Sequence, residues 1–408
     1  MKYAVIIGDG MSDYRHPELG LKTPLECAKK PYMDMMAKKG IIGFTHNVPM
    51  DMVPESDTAN LAVLGYPPKI FSKGRSPLEA VSMGIDMKSD ETAFRINTVA
   101  LSEGDVYENL TILDHSADEI PTEESGQLIE TLEAEMGDEL RKYYTGVSYR
   151  HCLIWKDSPK TINFARPHDI LGNVIGEYLP QGEDGKPYYE IMKRSWEILK
   201  DHPVNKARRE RGLLPANSLW IWSPGKKPFL TSFSDRFGLS GTVISAVDLI
   251  KGIGICAGLK VPDIEGATGN IHTNYEGKAN AAIDAFKNGD DFVYVHVEAP
   301  DECGHRAEIQ NKVLSIEYLD SRIIKPIYDY LESTGEDFKI FFLPDHPTPL
   351  EKRTHSLDAV PYVMYTHGKD ENSGALAYDE FFGHGKDGEV SVKFYSQGWD
   401  MMNDFIEK

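Results

Sequence analysis

Three short apolar segments, each followed at once by a polar turn, most constrain the fold of this 408-residue chain. Residues 3–7 precede Gly8-Asp9-Gly10, residues 292–297 precede Glu298-Ala299-Pro300-Asp301, and residues 339–343 precede Pro344-Asp345-His346. Their length and their β-branched and aromatic side chains predict buried strands. Segments with helical spacing, such as 276–288 and 313–331, separate the strand segments. The alternation predicts an α/β fold with a largely parallel sheet flanked by helices.

The polar turns after these strands carry the residues of chemical interest. In an open parallel sheet, the loops beyond the carboxyl ends of the strands form the binding crevice. Asp9, Asp301, Asp345 and His346 all fall in such loops. We therefore expect these four side chains to meet at one edge of the sheet.

The middle of the chain has a different pattern of residues from the segments described above. It contains charged helical segments at 123–135 and 188–200 and a turn-rich joint at 180–187. We predict that residues 90–205 form a smaller inserted α/β cap domain that binds substrate. Residues 1–89 and 206–408 would then form a discontinuous catalytic domain that binds metal.

Charge and composition exclude several classes of function. The 44 basic and 64 acidic residues give a net charge of −20, and no Lys or Arg cluster is long enough to follow a nucleic-acid backbone. No apolar run approaches the length of a membrane span, and the four cysteines form no C-x-x-C motif. We expect a cytoplasmic protein with reduced thiols, without a nucleic-acid or membrane partner; the oligomeric state stays open.

Two clusters contain residue types that bind divalent metal ions. Asp301 and His305 lie four residues apart directly after a predicted strand, and Asp345-His346 is followed closely by His355. Carboxylates and neutral imidazoles are ligands for ions such as Mn²⁺ and Zn²⁺. A single histidine is more often hydrogen-bonded than metal-bound, but clusters at strand ends favour a metal site.

Ser56 precedes an apolar helical segment and has two interpretations. As a helix cap, its hydroxyl would accept a hydrogen bond from a free backbone N–H group. As a nucleophile, it would use the positive end of the helix dipole, which stabilises an alkoxide or a bound phosphate. The sequence alone leaves both roles open.

Several motifs together resemble the cofactor-independent phosphoglycerate mutases of the archaeal type, members of the alkaline phosphatase superfamily. The motifs are Gly8-Asp9-Gly10, Ser56-Asp57-Thr58-Ala59, Gly266-Ala267-Thr268-Gly269, Asn274-Tyr275-Glu276-Gly277-Lys278, Ala299-Pro300-Asp301-x-x-Gly304-His305, Asp345-His346-x-Thr348-Pro349 and Thr354-His355. The resemblance covers nearly the whole predicted catalytic domain. It implies an alkaline-phosphatase-like sheet with a second domain that holds glycerate.

The resemblance also implies a set of ligands and a reaction. One divalent ion, Mn²⁺, Zn²⁺ or Co²⁺, would be bound by Asp9, Ser56, Asp345 and His346, and a second by Asp301, His305 and His355. Ser56 would be the catalytic nucleophile, taking phosphate from a small phosphorylated metabolite, 2- or 3-phosphoglycerate, and returning it to the other hydroxyl. No 2,3-bisphosphoglycerate would be needed.

The predicted cap departs from the mutase pattern and keeps an alternative open. Residues 113–120 contain no arginine where the mutases carry several, and Pro347 follows His346. These departures resemble a sister group of proposed homoserine kinases, whose cationic acceptor would suit the acidic residues Asp114, Asp118 and Glu119. A metal-dependent phosphatase and a non-catalytic metal protein are further alternatives. The candidate substrate-binding residues are Arg95, Arg150 and Lys278.

Overall fold

The computed structural model describes residues 1–384 and 392–406. The chain divides into two compact units, of which the first combines Met1–Ser72 with Phe229–Lys408 and the second is Lys73–Pro228. We refer to them as unit 1 and unit 2.

The strands and helices follow one another along the described chain. The strands are β1 Lys2–Gly8, β2 Ile41–Thr45, β3 Glu91–Leu101, β4 Ile112–Asp114, β5 Arg141–Val147, β6 Arg150–Lys156, β7 Ser218–Gly225, β8 Gly241–Ile244, β9 Phe292–Val297, β10 Phe338–Leu343, β11 Val360–Thr366 and β12 Lys393–Tyr395. The α-helices are α1 Pro24–Cys27, α2 Pro31–Lys39, α3 Ser56–Val63, α4 Pro68–Phe71, α5 Ser76–Ser82, α6 Thr122–Met136, α7 Gly182–Leu199, α8 Pro203–Glu210, α9 Phe233–Phe237, α10 Asp248–Cys256, α11 Tyr275–Lys287, α12 Ala299–His305, α13 Ile309–Tyr318, α14 Lys325–Thr334 and α15 Met401–Ile406.

Unit 1 is built on a seven-stranded sheet of order β12-β2-β11-β10-β1-β9-β8. β1 pairs in parallel with both β10 and β9, and β8 pairs in parallel with β9. Only the pairs that involve β11 are antiparallel among the pairings described for this sheet. The predicted α/β fold with a largely parallel sheet is therefore confirmed.

The central strands are apolar because helices cover the sheet. The side chains of β9 are all buried, as are those of β1 from its second residue onward. Parallel strands buried on both faces read as continuous apolar runs rather than alternating ones. The core that joins them to α11 and the helices around α13 includes Ile6, Val295, Ile316, Ile323 and Phe342.

One predicted helix contains an irregularity. The segment 313–331 is helical, but a π-helical stretch at Leu319–Ile324 joins α13 to α14. Buried Asp320 in this stretch accepts hydrogen bonds from the backbone N–H of Met33 (2.7 Å) and Tyr32 (3.4 Å). The π-helical turn thus places a carboxylate at the N-terminus of α2, where free N–H groups need an acceptor.

Unit 2 contains an antiparallel sheet of five strands. Four of its strands follow the order β4-β3-β6-β5, and the fifth strand, β7, also pairs with β3. Helices α6 and α7 pack on this sheet through buried residues such as Leu128, Leu132, Ile191 and Trp196. Unit 2 has its own core and is smaller than unit 1.

Unit 2 extends beyond the predicted cap at both ends. Residues 90 and 205, the expected boundaries, both lie inside it. The cause is strand pairing, because β7 comes after residue 205 and pairs with β3 along Val99↔Ser218 to Ala93↔Gly225. The predicted turn at 180–187 also differs: α7 begins at Gly182, and Gly185 packs against Pro180 within its first turns.

No helix in the described part of the chain is long and apolar enough to cross a bilayer.

Candidate metal centre

The loops after β1, β9 and β10 bring the predicted ligands together in unit 1. These three strands are neighbours in the sheet, with Ile7 opposite both Leu343 and His296. Asp9 follows β1, Asp301 lies in α12 just after β9, and Asp345 follows β10. The convergence at one sheet edge that the sequence predicted is present.

Asp9, Asp345 and His346 form the first ligand group, with candidate ligand atoms within 4.8 Å of one another. His346 Nε2 lies 3.5 Å from Asp9 Oδ1 and 3.6 Å from Asp345 Oδ2. Ser56 Oγ is 3.2 Å from the same nitrogen. All four residues of the predicted first ion thus lie together.

Asp301, His305 and His355, the residues predicted for the second ion, are called here the second ligand group; Asp301 and His355 also share a group of close candidate ligand atoms with His346. His305 Nε2 lies 3.3 Å from Asp301 Oδ2, and His355 Nε2 lies 3.4 Å from Asp301 Oδ1. The two imidazole nitrogens are 3.0 Å apart. The ring of His355 stacks on that of His346 with centroids 3.9 Å apart, so the two groups adjoin.

The hydrogen bonds of the imidazoles fix which nitrogen faces the centre. The Nδ1 of His305 is 3.0 Å from the carbonyl of Arg353, and that of His355 is 2.7 Å from the carbonyl of Pro54. A carbonyl accepts only, so each Nδ1 must carry the proton and each neutral ring keeps a lone pair on Nε2. Two lone pairs 3.0 Å apart repel unless a cation or proton lies between them. A backbone carbonyl that accepts from the Nδ1–H, as those of Arg353 and Pro54 do here, is typical of metal-binding histidines.

The carboxylate of Asp9 also fits a bound cation. Its Oδ1 is buried and has no hydrogen-bond partner among the described residues. Burial, and then the negative charges of Asp345 and Asp301, raise the pKa of Asp9 well above its ordinary value. A divalent ion would remove this penalty by offsetting the clustered negative charge.

The side chains of the second ligand group shift the pKa of one another. The hydrogen bond to Asp301 raises the pKa of His305 to about 9 against the effect of burial. Burial alone would raise the pKa of Asp301, but hydrogen bonds with His305 and His355 outweigh it and hold the pKa well below the ordinary value. The donor set of one carboxylate and two imidazoles suits Mn²⁺, Co²⁺ or Zn²⁺.

Ser56 is the first residue of α3 and does not cap it. The N-cap is Glu55, which makes no side-chain capping bond within the described structure. The Ser56 hydroxyl turns instead toward His346. Of the two roles that the sequence left open, the geometry favours the nucleophile.

Four residues near the ligands were not found from the sequence. Asn60 donates to Asp345 Oδ2 at 2.8 Å, and the hydroxyl of Thr348 contacts Asp301 Oδ1 at 2.5 Å. His296 Nε2 lies 3.1 Å from Asp9 Oδ2, and Glu298 shares a group of close carboxylate oxygens with Asp9 and Asp301. His296 had a usable signal, because it is a polar residue inside an otherwise apolar strand.

Lys278, a predicted substrate-binding residue, is wholly buried in unit 1. Its ammonium donates to the carbonyl of His296 at 3.1 Å. Burial lowers the pKa of Lys278 to about 8, while the charges of Glu298 and Asp9 oppose that shift. Its positive charge therefore acts on carboxylates of the candidate metal centre.

Arg95 and Arg150, the other two predicted substrate-binding residues, lie in unit 2 on the paired strands β3 and β6. Arg95 forms a 3.0 Å ion pair with Glu79 and lies over the ring of Trp222. Burial, partly offset by Glu79, lowers the pKa of Arg95, and the charges of Arg75 and Arg150 lower it further. Three arginines from separate elements thus gather in unit 2.

Cys303 lies inside the Asp301–His305 segment but is not a reactive thiol. It is buried, and burial raises the pKa of its thiol to about 12. At neutral pH the side chain is a neutral thiol. Cys303 is therefore a small buried side chain within this segment.

Comparisons with known proteins agree with the motifs. The family model for 2,3-bisphosphoglycerate-independent phosphoglycerate mutase matches residues 37–205. A mutase of that name from Methanosarcina barkeri is 48% identical over 381 residues, 93% of this chain and 94% of its own. The corresponding protein of Methanosarcina mazei is 46% identical over 407 residues, 100% of this chain and 98% of its own.

Solved structures give the same relationship. A protein of Pyrococcus horikoshii has a TM-score of 0.81 at 28% identity and covers 100% of this chain and 98% of its own. The cofactor-independent phosphoglycerate mutase of Thermoplasma acidophilum has a TM-score of 0.65 at 25% identity, covering 99% of this chain and 98% of its own. The chain belongs to the family of 2,3-bisphosphoglycerate-independent phosphoglycerate mutases.

Proposed function

We propose that the protein interconverts 2-phosphoglycerate and 3-phosphoglycerate through a phosphoserine at Ser56, without 2,3-bisphosphoglycerate. It would act as an isomerase of glycolysis and gluconeogenesis. The observation that carries this proposal is the position of Ser56 Oγ, 3.2 Å from Nε2 of His346, a residue that belongs to two groups of side chains that could hold a metal ion. A structural metal site would have no use for a hydroxyl in this position.

The ligand residues are proposed to divide into two sets around two divalent ions. Asp9, Ser56, Asp345 and His346 would hold one, and Asp301, His305 and His355 the other. When bound, such ions polarise phosphoryl oxygens and favour the serine alkoxide. Among Mn²⁺, Co²⁺ and Zn²⁺, the mixed nitrogen and oxygen donors favour none decisively.

The residues around Ser56 prepare it for an in-line displacement. Asn60, one helical turn later, donates to the Ser56 carbonyl and to Asp345 Oδ2, both at 2.8 Å. This bond ties the first turn of α3 to a ligand carboxylate. Glu55, the N-cap of α3, makes no side-chain capping bond among the described residues, and the positive end of a helix dipole favours a bound phosphate.

The transfer runs in two balanced steps. Ser56 Oγ bonds to phosphorus while the bond from phosphorus to the glycerate oxygen breaks, and the freed glycerate oxygen takes a proton. The other hydroxyl of the bound glycerate then loses its proton and bonds to phosphorus while the bond from phosphorus to Ser56 Oγ breaks, and Ser56 Oγ regains the proton that it lost in the first step. Water must be kept from the phosphoserine between these steps, since its attack would give phosphatase activity.

The arginines of unit 2 support phosphoglycerate as the substrate. The charges of Arg75 and Arg150 act on Arg95, which is also paired with Glu79. Guanidinium groups bind carboxylates and phosphates in a bidentate manner. We propose that Arg95 and Arg150 bind the glycerate carboxylate or phosphate; direct contact of Lys278 with substrate stays a prediction.

The acidic segment that suggested a homoserine kinase has a local structural role. Asp114 accepts from the backbone N–H groups of Ser116 (3.0 Å) and Asp118 (2.7 Å). Asp118 accepts from the backbone N–H of Leu214 at 2.7 Å. These carboxylates stabilise a turn in which Ala117, Asp118 and Glu119 have positive φ angles. Nothing in this geometry favours binding of a cationic acceptor over phosphoglycerate.

The location is proposed to be the cytoplasm. None of the four cysteines forms a disulfide bond in the described structure. Free thiols persist where the compartment is reducing.

The test of the proposed function is direct conversion. Chelator-treated protein is loaded with Mn²⁺, Co²⁺ or Zn²⁺ and mixed with 3-phosphoglycerate, and formation of 2-phosphoglycerate is followed by phosphorus NMR. We expect conversion without 2,3-bisphosphoglycerate and phosphate on Ser56 in quenched samples analysed by mass spectrometry. Release of free phosphate without isomerisation would replace the mutase by a phosphatase, and O-phosphohomoserine formed from homoserine and a nucleoside triphosphate would revive the kinase.

A further inference from the structure

A fully buried ion pair lies behind the candidate metal centre. Lys312 of α13 and Asp13 of the loop after β1 have side chains that are 0% and 2% exposed, and Lys312 Nζ lies 2.6 Å from Asp13 Oδ2. Burying two charges is costly unless further hydrogen bonds satisfy them. Asp13 Oδ1 accepts from the backbone N–H of Tyr14 at 2.7 Å, and the other bonds described for these two side chains go to the loop after β10.

The loop after β10 is held by both members of the pair. Lys312 Nζ donates to the carbonyl of Thr348 at 2.8 Å. The backbone N–H of Leu350 donates to both carboxylate oxygens of Asp13, at 3.2 and 3.1 Å. Because this loop also carries Asp345 and His346, the pair fixes the backbone just beyond two predicted ligands.

Thr348 links this backbone to both ligand groups. Its hydroxyl lies 2.5 Å from Asp301 Oδ1 and 3.3 Å from His346 Nδ1. The hydroxyl can donate its one proton to Asp301 and accept from the Nδ1–H of His346. That arrangement leaves the lone pair of His346 on Nε2, the nitrogen that faces Ser56 and Asp9.

Two glycines of the sequence motifs make room for Thr348. A Cβ on Gly304 would lie 2.4 Å from the Thr348 carbonyl oxygen, and a Cβ on Gly10 would lie 2.5 Å from its hydroxyl. Both distances are too short for any side chain. Residues from the motifs around Asp9, Asp301 and His346 therefore all lie against Thr348.

We propose that the buried Lys312–Asp13 pair positions the metal centre through Thr348, whose hydroxyl orients Asp301 and His346. Lys312 and Asp13 are positioning residues in this arrangement, because neither lies in a ligand group. The inference rests on the two-metal site of the proposed function but not on the identity of the substrate.

The experiment measures binding of Mn²⁺ alone by calorimetry and electron paramagnetic resonance, without substrate. Outer partners of metal ligands contribute about 10- to 100-fold to metal affinity. We expect Lys312→Met to weaken Mn²⁺ binding by that factor and to shift the visible absorption bands of the Co²⁺-loaded protein. Excess Mn²⁺ should restore most of the lost activity, which a general loss of folded protein would not allow.

Lys30→Met is the matched control. Lys30 is also a buried lysine of unit 1, paired with Asp34 at 3.2 Å. We expect this substitution to lower the melting temperature while the Mn²⁺ dissociation constant stays within about twofold. An Mn²⁺ affinity of Lys312→Met equal to that of the wild type would overturn the inference.

A second pair of variants keeps the inference testable if Lys312→Met does not fold. Thr348→Val keeps the shape and removes the hydroxyl, whereas Thr348→Ser keeps the hydroxyl. We expect weakened Mn²⁺ binding in the valine variant and near-normal binding in the serine variant; equal binding in both would also overturn the inference.

The inference and the proposed function fail separately. Protein whose Mn²⁺ affinity depends on Lys312 and Thr348 but which does not convert 3-phosphoglycerate would retain the first and lose the second. If the enzyme is active but its Mn²⁺ affinity does not depend on Lys312 or Thr348, the proposed function is retained and the inference is lost.

Discussion

The ligand groups of unit 1 and the arginine group of unit 2 are assembled in different ways. The carboxylates Asp9, Asp301 and Asp345 come from short motifs directly after neighbouring parallel strands, so they share one edge of the sheet by construction. Arg95 and Arg150 come from β3 and β6, which pair antiparallel, and Arg75 comes from the N-cap of α5. The ligand residues of unit 1 can therefore be found from local motifs. The arginines proposed to recognise substrate are brought together by strand pairing between distant segments.

If this contrast is correct, a change in the ligand groups should abolish chemistry while a change among the arginines should weaken binding. The largest effect is expected for Ser56→Ala, which removes the attacking oxygen. Loss of a nucleophile costs on the order of 10⁴- to 10⁶-fold in kcat. Mutase activity is measured by coupled assay, with exposed Ser321→Ala as the control; residual activity above about 1% of wild type would remove Ser56 from the mechanism.

Arg95→Gln is expected to have the next largest effect. A hydrogen bond to a charged group contributes about 1.5–3 kcal/mol, so kcat/KM should fall roughly 10- to 100-fold. Because the arginine is proposed to hold substrate, KM should rise while the Mn²⁺ affinity of the free protein stays unchanged. Arg141→Gln on the same sheet, which removes an exposed pair with Asp138, is the control. A fall in Mn²⁺ affinity with unchanged KM would contradict the proposed division of roles between the two regions.

The affinity for Mn²⁺ should depend on pH. The pKa of His305 is raised to about 9 and that of Asp9 is raised as well, so both bind protons more tightly than usual in the metal-free protein. A metal ion must displace these protons, and its affinity therefore falls as pH falls below about 9, by up to about tenfold per unit for each proton displaced. Calorimetry in buffers of different ionisation enthalpy should show proton release at pH 7; a pH-independent affinity would contradict the assignment of His305 as a ligand.

The smallest effect is expected for Cys303→Ala. The thiol is buried between ligand residues, but burial raises its pKa to about 12, so it has no thiolate to offer. We expect kcat within about twofold of wild type and a loss of roughly 1 kcal/mol in unfolding free energy from the small cavity. Steady-state kinetics and chemical denaturation measure both; loss of activity on mild thiol alkylation would show that Cys303 is more accessible than its burial indicates.

Much of unit 1 could be predicted from the sequence because its signals are local. The strands at 3–7, 292–297 and 339–343 are continuous apolar runs, and the ligand types directly follow them. His296 and Thr348 were missed for a physical reason, since their roles depend on partners contributed by other strands and loops. A histidine in an apolar strand gives only a weak hint of its partner, here Asp9.

The boundaries of unit 2 could not be read from composition. The segment that forms β7 looks like another strand of the catalytic domain, and only its register with β3 assigns it to unit 2. Arg75, which precedes residue 90, falls in unit 2 because α5 packs against β3 and β7. The sequence pattern shows that a strand exists, but it does not show which sheet the strand joins.

The interruption of unit 1 by unit 2 also has a consequence for the order of folding. β1 is formed by residues 2–8, yet its partners β9 and β10 lie beyond residue 290. Every strand of the inserted unit, in contrast, pairs within Lys73–Pro228. During synthesis, unit 2 can therefore finish folding before the partners of β1 have been made. Pairing between strands that are distant in sequence is slow and leaves strand edges exposed to association. The first strand of the chain would then be among the last to reach its native neighbours.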